Sequence, residues 1–258
     1  MPPRRATILT MSPRLAFALE TACAAGRKTL AHFQGVDYEL KADDSPVTVA
    51  DREAERFIRQ AIETSYPREA ILGEEEGGVT RANQWVIDPI DGTKSFICGV
   101  PLYATLLSYE EEGVPMIGVA CFPALGLTLW AERGSGAVAD GRPIRVSQTA
   151  ELDRSVICCG GHRTLDRSGK LPGLMRIAEH AMATRTWCDA YGHAMVAMGR
   201  ADAMIDPVVA PWDLSAMSLI VEEAGGASTD FSNRRFPRTE AVSSNRVLHE
   251  RILECFRP

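Results

Sequence analysis

Several features that would place this chain in a large class of proteins are missing from it. No apolar run approaches the roughly 20 residues that a membrane-crossing helix needs. There is no basic excess: 28 lysines and arginines face 34 aspartates and glutamates, a net charge of −6. That argues against a surface that coats nucleic acid, and leaves an anionic ligand to be met by a metal, a local arginine or helix N-termini. The seven cysteines, Cys23, Cys98, Cys121, Cys158, Cys159, Cys188 and Cys255, are odd in number and scattered, with no C-x-x-C pair. A disulfide-stapled secreted domain would look different. Most of them sit in apolar surroundings and read as small buried hydrophobes, with the adjacent Cys158-Cys159 as an oddity. The five histidines have no context demanding function, and His193 reads as a packed helix residue. Repeats and low-complexity tracts are also lacking. The first ten residues are basic but short and polar in their middle. They read as a frayed tail before Met11 rather than a signal peptide, so the expected location is the cytoplasm.

What is present is an ordinary globular composition, 45% hydrophobic and 24% charged over 258 residues. That length suits one large α/β domain or two tightly fused halves, with a soft boundary near residue 150. Residues 13–33 show a broad apolar face and predict a helix, followed by a short strand over 36–40 and a turn at 43–46. Residues 48–66 follow the 3.6-residue period through Ala50, Ala54, Phe57, Ile58, Ala61 and Ile62, and Pro67 stops them. Strand-like segments at 104–109, 114–122 and 128–132 predict an antiparallel meander, with a tight hairpin turn at Asp140-Gly141. The second half predicts strands over 155–159 and 203–205. Its helices are expected over 173–182, 190–198 and 213–224, the last closed by Gly225-Gly226.

The most telling stretch is Trp85-Val-Ile-Asp-Pro-Ile-Asp-Gly-Thr-Lys-Ser-Phe96. An apolar strand from Trp85 to Ile87 is expected to end at Asp88, because Pro89 cannot donate to a sheet ladder. Asp91 follows, then a turn at Gly92-Thr93. Two carboxylates crowded at a strand end repel each other unless a proton or a cation lies between them. Three further acidic sites could join them: Glu74 to Glu76 after a strand over 70–72, Asp51 near a helix start, and Asp213 at the start of the last strong helix. Singly, each has a plain reading. Asp213 would be an N-cap, Asp51 a charge favoured by the helix dipole, and Glu74 to Glu76 a solvated turn. Together they are hard oxygen ligands, suited to Mg2+ rather than Zn2+.

In order and spacing, Gly73-Glu74-Glu75, Asp88-Pro-Ile-Asp-Gly-Thr93 and Trp212-Asp213 with Glu223-Ala-Gly-Gly226 resemble the inositol monophosphatase family over nearly the whole chain. The resemblance implies an α/β (α+β) fold, a layered αβαβα sandwich of the inositol monophosphatase and fructose-bisphosphatase type. An N-terminal half (1–150) would carry most metal ligands and a C-terminal half (151–258) would carry Asp213 and substrate-selecting residues. It implies a phosphomonoesterase with two or three Mg2+ per active site, held by Glu74, Asp88, the Ile90 carbonyl, Asp91 and Asp213. Glu74 and Thr93 would orient the attacking water, with Asp51 behind Thr93. The main-chain N–H groups of Gly92 and Thr93 would hold the phosphate, and Lys41 matches a family lysine near the metals. A homodimer is implied, with a small phosphorylated substrate and no nucleic-acid or membrane partner.

The substrate lies outside this core. Lys94-Ser95-Phe96, Gly99-Val-Pro101 and the segments up to Gly126 are similar to the histidinol-phosphate phosphatases of the family, as is Arg185 before Asp189, although Cys188 stands where that branch has glycine. On this likeness Lys94 lines the site, Arg185 contacts phosphate, Asp189 and Asp206 pair with a cationic amine or imidazole, and Asn245 meets the imidazole, if need be across a dimer. Each also has a plain reading, as a turn, cap, loop or surface residue. The expected reaction is hydrolysis of L-histidinol phosphate. The alternatives are an inositol 1-phosphate or broad sugar-phosphate phosphatase, with nucleotide 3′-phosphates a further candidate, and a metal-binding regulatory module without catalysis.

Overall fold

A computed structural model describes residues 11–187 and 189–257. The N-terminal ten residues and Cys188, for which a frayed tail and a departure from the family pattern were expected, lie outside the described residues. The chain opens with helix α1 (Pro13–Thr29), a two-stranded ribbon of β1 (Tyr38–Leu40) and β2 (Pro46–Thr48), and helix α2 (Val49–Ser65). A seven-stranded sheet follows in the spatial order β3 (Ala70–Gly73), β4 (Gln84–Asp91), β5 (Ala104–Glu111), β6 (Val114–Phe122), β7 (Leu127–Glu132), β8 (Ala137–Ala139) and β9 (Arg142–Ile144). The short helix α3 (Thr93–Ile97) leaves the end of β4. A five-stranded sheet comprises β10 (Val156–Cys159), β11 (Ala183–Arg185), β12 (Ala203–Asp206), β13 (Ala227–Thr229) and β14 (Ala241–Ser244), in the order β11-β10-β12-β14-β13. Helices α4 (His162–Arg167), α5 (Leu171–Ala178), α6 (Asp189–Ala197), α7 (Pro211–Glu223) and α8 (His249–Glu254) complete the described chain.

Strand alternation sorts these elements into layers. On β5 and β6, Leu107, Tyr109, Ile117 and Val119 pack under α1 and α2, against Leu15, Ala18, Ile58 and Ile62. Their neighbours Leu106, Ala120 and Phe122 face the other way, onto Ala194 and Val196 of α6 and Met217 and Ile220 of α7. The same cluster takes in Cys158 and Met204 from the smaller sheet. The outer face of that sheet, Ile157, Cys159, Ile205 and Val242, packs with Leu165, Leu174, Ile177 and Ile252. The succession is helices, large sheet, α6 and α7, small sheet, helices, which is the αβαβα sandwich expected from the family resemblance. The Cys158-Cys159 pair is explained by it, because successive residues of one strand enter two different cores.

Several boundaries differ from expectation for local reasons. Helix α1 stops at Thr29, where the Thr29 hydroxyl turns back to the Gly26 carbonyl (2.7 Å) and meets the Tyr103 hydroxyl (3.0 Å). Strand β4 does not end at Asp88. It runs to Asp91 with Pro89 inside a bulge, where the pairing with β5 shifts between Asp88 and Asp91, a position that needs no proline N–H. The Pro89 carbonyl is held instead by the Thr105 hydroxyl (2.8 Å). Helix α4, helix α8 and strands β11, β13 and β14 were not expected from sequence. All are three to six residues long, too short for a periodic pattern to develop.

Helix α7 lies directly on β6. A Cβ at Gly118 would stand 2.6 Å from the Ala216 carbonyl oxygen and 3.0 Å from its Cα, so only glycine allows this approach. A hydroxyl chain ties the same helix to the neighbouring β5: Ser108 donates to Ser215 (2.7 Å), and Ser215 to the fully buried Glu110 (2.7 Å). Arg238 donates to both Glu110 oxygens, at 2.9 and 3.1 Å. Gly118→Ala is therefore expected to lower stability by about 1–3 kcal/mol through overpacking, as a fall in the urea midpoint at unchanged slope. An unchanged midpoint would mean that α7 has room to move off the sheet.

Candidate active site

The bulge on β4 turns Asp88, the Ile90 carbonyl and Asp91 toward one open cavity of about 390 Å3. Gly92 follows with φ +81, a left-handed conformation, and a Cβ there would come within 3.1 Å of an Asp189 carboxylate oxygen. Glycine is thus required both for the turn into α3 and for the approach of Asp189. Thr93 opens α3 with its hydroxyl toward the Ile90 carbonyl (3.1 Å) and Asp51 Oδ1 (3.4 Å).

Asp51 and Asp213 arrive by the same local device. Each is the third residue of its helix and reaches back to the residue that caps it. Asp51 Oδ2 accepts from the Thr48 N–H (2.8 Å) and hydroxyl (2.6 Å), and Asp213 Oδ2 accepts from the Ala210 N–H (2.7 Å). The N-cap expected at Asp213 is in fact Ala210. In both side chains one oxygen completes the helix end. For Asp51 the other oxygen faces Thr93.

Glu74 stands in the turn after β3. Lys41 from the β1–β2 ribbon donates to Glu74 Oε1 (2.8 Å) and Glu75 Oε1 (2.7 Å). Beneath the turn, the buried Glu55 of α2 accepts from the Glu75 N–H (2.7 Å) and the Glu76 N–H (3.0 Å). Sequence reasoning passed over Glu55, since a glutamate in mid-helix carries no distinguishing pattern.

Oxygens of Asp88, Asp91 and Asp213 lie within 4.8 Å of one another. Burial, above all, pushes the Asp88 carboxyl well above the usual range, and the charges of Glu74, Asp91 and Asp213 add to it. Burial does the same to Asp91, reinforced by Asp189 and Asp213 and opposed by the Ala190 N–H, which donates to Asp91 Oδ2 at 2.6 Å. Asp213 is pushed up to about 7, chiefly by burial. Asp88 Oδ1 is buried and has no hydrogen-bond partner among the described residues. An orphaned carboxylate oxygen among like charges is an incomplete electrostatic arrangement. A hard divalent cation bound by oxygen ligands completes it, and Asp88, Asp91, Asp213 and Glu74 fit one.

The structure brings Glu74, Asp88, Ile90, Asp91, Gly92, Thr93, Lys94, Asp189 and Asp213 to the cavity wall, with Asp51 directly behind Thr93. Three expected substrate residues are placed otherwise. Asp206, at the end of β12, is buried, its carboxyl raised well above the usual range by burial and then by Asp189 and Asp213. It stands behind the wall rather than on it. Arg185 sits on the edge strand β11, exposed, and donates to the Thr184 carbonyl (2.8 Å), away from the cavity wall of this chain. Asn245 is buried and spent within the fold: its amide donates to Ser147 Oγ and the Thr149 carbonyl, both at 2.9 Å, and accepts from the Leu248 N–H at 3.0 Å. The cavity adds Asp43, Ser45, Val208, Val209 and Trp212. Of these, Trp212 was visible as the neighbour of Asp213, while the others come from loops without a pattern.

Comparison with known proteins agrees with this geometry. A family model described as "Inositol monophosphatase family" matches residues 10–257. The chain is 44% identical to the histidinol-phosphatase of Chlorobaculum parvum, covering 94% of this chain and 96% of that one. It is 38% identical to the histidinol-phosphatase of Mycobacterium tuberculosis, covering 93% and 96%. The solved structure of Thermotoga maritima IMPase superposes with a TM-score of 0.88 at 35% identity, over 95% of this chain and 97% of that one.

The buried carboxylates set a pH dependence in the metal-free protein. Their folded pKa values lie above the unfolded value near 3.9, so the folded state holds protons that unfolding releases, and stability falls as pH rises through the window from about 4 to 7. In EDTA the melting temperature should be higher at pH 5.5 than at pH 8. Added Mg2+ should stabilise the parent, and Asp88→Asn should flatten the pH slope and abolish that stabilisation. An equally steep slope in the variant would refute this origin.

Proposed function

The chain belongs to the inositol monophosphatase family, and on that footing we propose that it is a Mg2+-dependent phosphomonoesterase that hydrolyses L-histidinol phosphate to L-histidinol and phosphate. The observation that carries the metal-dependent part is the unpartnered Asp88 Oδ1 inside a ring of carboxylates. Asp88, Asp91, Asp213, Glu74 and the Ile90 carbonyl are the residues that would hold the metal. Two or three bound Mg2+ ions would neutralise the phosphate dianion, activate water and stabilise the leaving alkoxide, so no histidine general acid is needed.

The protein's own groups then position the reactants, the larger part of catalysis for a loose phosphoryl transition state. Thr93, held by Asp51 and Ile90, and Glu74, held by Lys41, orient the attacking water. The N–H groups of Gly92 and Thr93, where β4 gives way to α3, face the phosphate. Lys94 stands at the cavity wall and adds positive charge near the phosphate. Asp189, also on the wall, pairs with the cationic amine or imidazole, with buried Asp206 behind it.

Support for histidinol phosphate comes from relatives named histidinol-phosphatase at 36–44% identity and from the anionic wall, which suits a cationic product. The competing reading, an inositol phosphate or sugar phosphate, is favoured by a Thermotoga maritima relative named fructose-1,6-bisphosphatase/inositol-1-monophosphatase, 35% identical over 93% of this chain. Under the proposal the enzyme is a cytoplasmic homodimer, in which residues 1–150 supply most ligands and 151–258 supply Asp213 and Asp189.

A turnover panel with Mg2+ separates these readings. Histidinol phosphate should be hydrolysed with a kcat/KM well above that for inositol 1-phosphate, and EDTA should abolish both activities. The reverse preference would sink the substrate assignment while leaving the phosphatase standing. Asp91→Asn should fold normally and lose several orders of magnitude in kcat; near-parental turnover would refute its assigned role.

A further inference from the structure

Away from the carboxylate site, two thiols meet between the first helix and the large sheet. Cys23 lies near the middle of α1 and is half-buried, and Cys121 lies near the end of β6 and is buried. Both sulfurs reach the same hydroxyl: Thr128 Oγ1 is 3.7 Å from Cys23 Sγ and 3.8 Å from Cys121 Sγ. One turn further along α1, Gly26 brings the helix backbone over Cys121, where a Cβ would stand 3.4 Å from its sulfur. Helix α1 therefore lies in van der Waals contact with β6 at the level of the two thiols.

The surroundings distinguish the two sulfurs. The Cys23 thiol is lowered to about 6, first by a hydrogen bond from the Cys121 thiol and further by the Thr128 hydroxyl and Arg27, against burial and the charge of Asp140. Cys121 is raised, by its part in the same hydrogen bond and by burial. The half-buried sulfur is the one favoured as thiolate, and the buried one is favoured as the protonated thiol. This is the division of labour between an attacking and a resolving cysteine.

We propose that Cys23 and Cys121 are a peroxide-responsive thiol pair that closes reversibly into a disulfide joining α1 to β6. The oxidant is a hydroperoxide. The Cys23 thiolate attacks one peroxide oxygen, the O–O bond breaks, and with one proton taken up the products are a Cys23 sulfenic acid and water (an alcohol from an organic peroxide). Cys121 then loses its proton and attacks the Cys23 sulfur. The S–O bond breaks, water leaves and the S–S bond forms, so two electrons have passed from the thiols to the peroxide. A dithiol reductant reverses the bond by exchange. Cys121 pairs across the sheet with Thr105, whose hydroxyl holds the Pro89 carbonyl beside Asp88, so only β5 separates the crosslink from the aspartate bulge. The inference does not depend on the identity of the phosphorylated substrate.

The test is peptide mapping of the intact protein, without reduction, after treatment with hydrogen peroxide. The expected result is a Cys23–Cys121 linked peptide, lost on dithiothreitol treatment and lacking in Cys23→Ser. In Cys121→Ser, or Cys121→Ala should the serine not fold, dimedone should capture a sulfenic acid at Cys23. Iodoacetamide labelling gives an independent readout. After allowing for the lower nucleophilicity of a low-pKa thiolate, Cys23 should outpace the exposed Cys98 by about tenfold at pH 6 and level off above pH 7. Peroxide oxidation confined to Cys98 and Cys255, or a Cys23 labelling rate that tracks Cys98 across pH, would overturn the proposal.

Discussion

The structure depends on the mutual repulsion of carboxylates held together out of water. Asp88, Asp91 and Asp213 come from two elements, β4 and α7, and Glu74 from the turn beside them. In a low-dielectric pocket such a set can be maintained only by protonation or by a cation. The fold does not relieve the conflict by separating them. It supplies rigid supports that prevent their retreat, and the cost is carried by the large apolar cores on either side of the seven-stranded sheet.

Those supports are specific. Asp51 and Asp213 are each pinned by completing a helix N-terminus. Asp91 is pinned by the Ala190 N–H at the start of α6. Glu74 is held by Lys41 from above, while Glu55 anchors the neighbouring backbone from below. The bulge at Pro89 sets the direction of Asp88 and Asp91, and the close seating of α7 on Gly118 sets the depth at which Asp213 arrives. Preorganisation of this kind is what a phosphoryl-transfer site requires, because positioning and electrostatics supply most of its catalysis.

How much was legible in the chain follows the range of the forces involved. The α2 helix, the β5–β6–β7 meander and the Asp140-Gly141 turn are local patterns and lie where periodicity and turn chemistry put them. The carboxylate cluster was legible because Asp88-Pro-Ile-Asp-Gly-Thr93 compresses two carboxylates and a left-handed glycine into six residues. Short elements such as α4, α8 and β11 were not legible, since they are stabilised by neighbours rather than by their own pattern. Arg185 and Asn245 show the same limit: nothing adjacent to them in sequence records that one lies on a sheet edge and the other is consumed by Ser147, Thr149 and Leu248.

By itself the sequence determined the chemistry: hard oxygen ligands at fixed short spacings, a glycine turn after them, and no histidine or cysteine cluster to compete. These are properties of covalent neighbours, and folding cannot rearrange them. Tertiary structure alone decided which distant groups share the site. It placed Glu55 under the Glu74 turn and Asp43, Val208 and Val209 on the cavity wall, and kept Arg185 and Asn245 off it. It also brought Cys23 to Cys121 across almost a hundred residues. Such meetings arise from the packing of whole layers against one another, and that information is spread over the apolar faces of every strand and helix rather than written beside the residues it brings together.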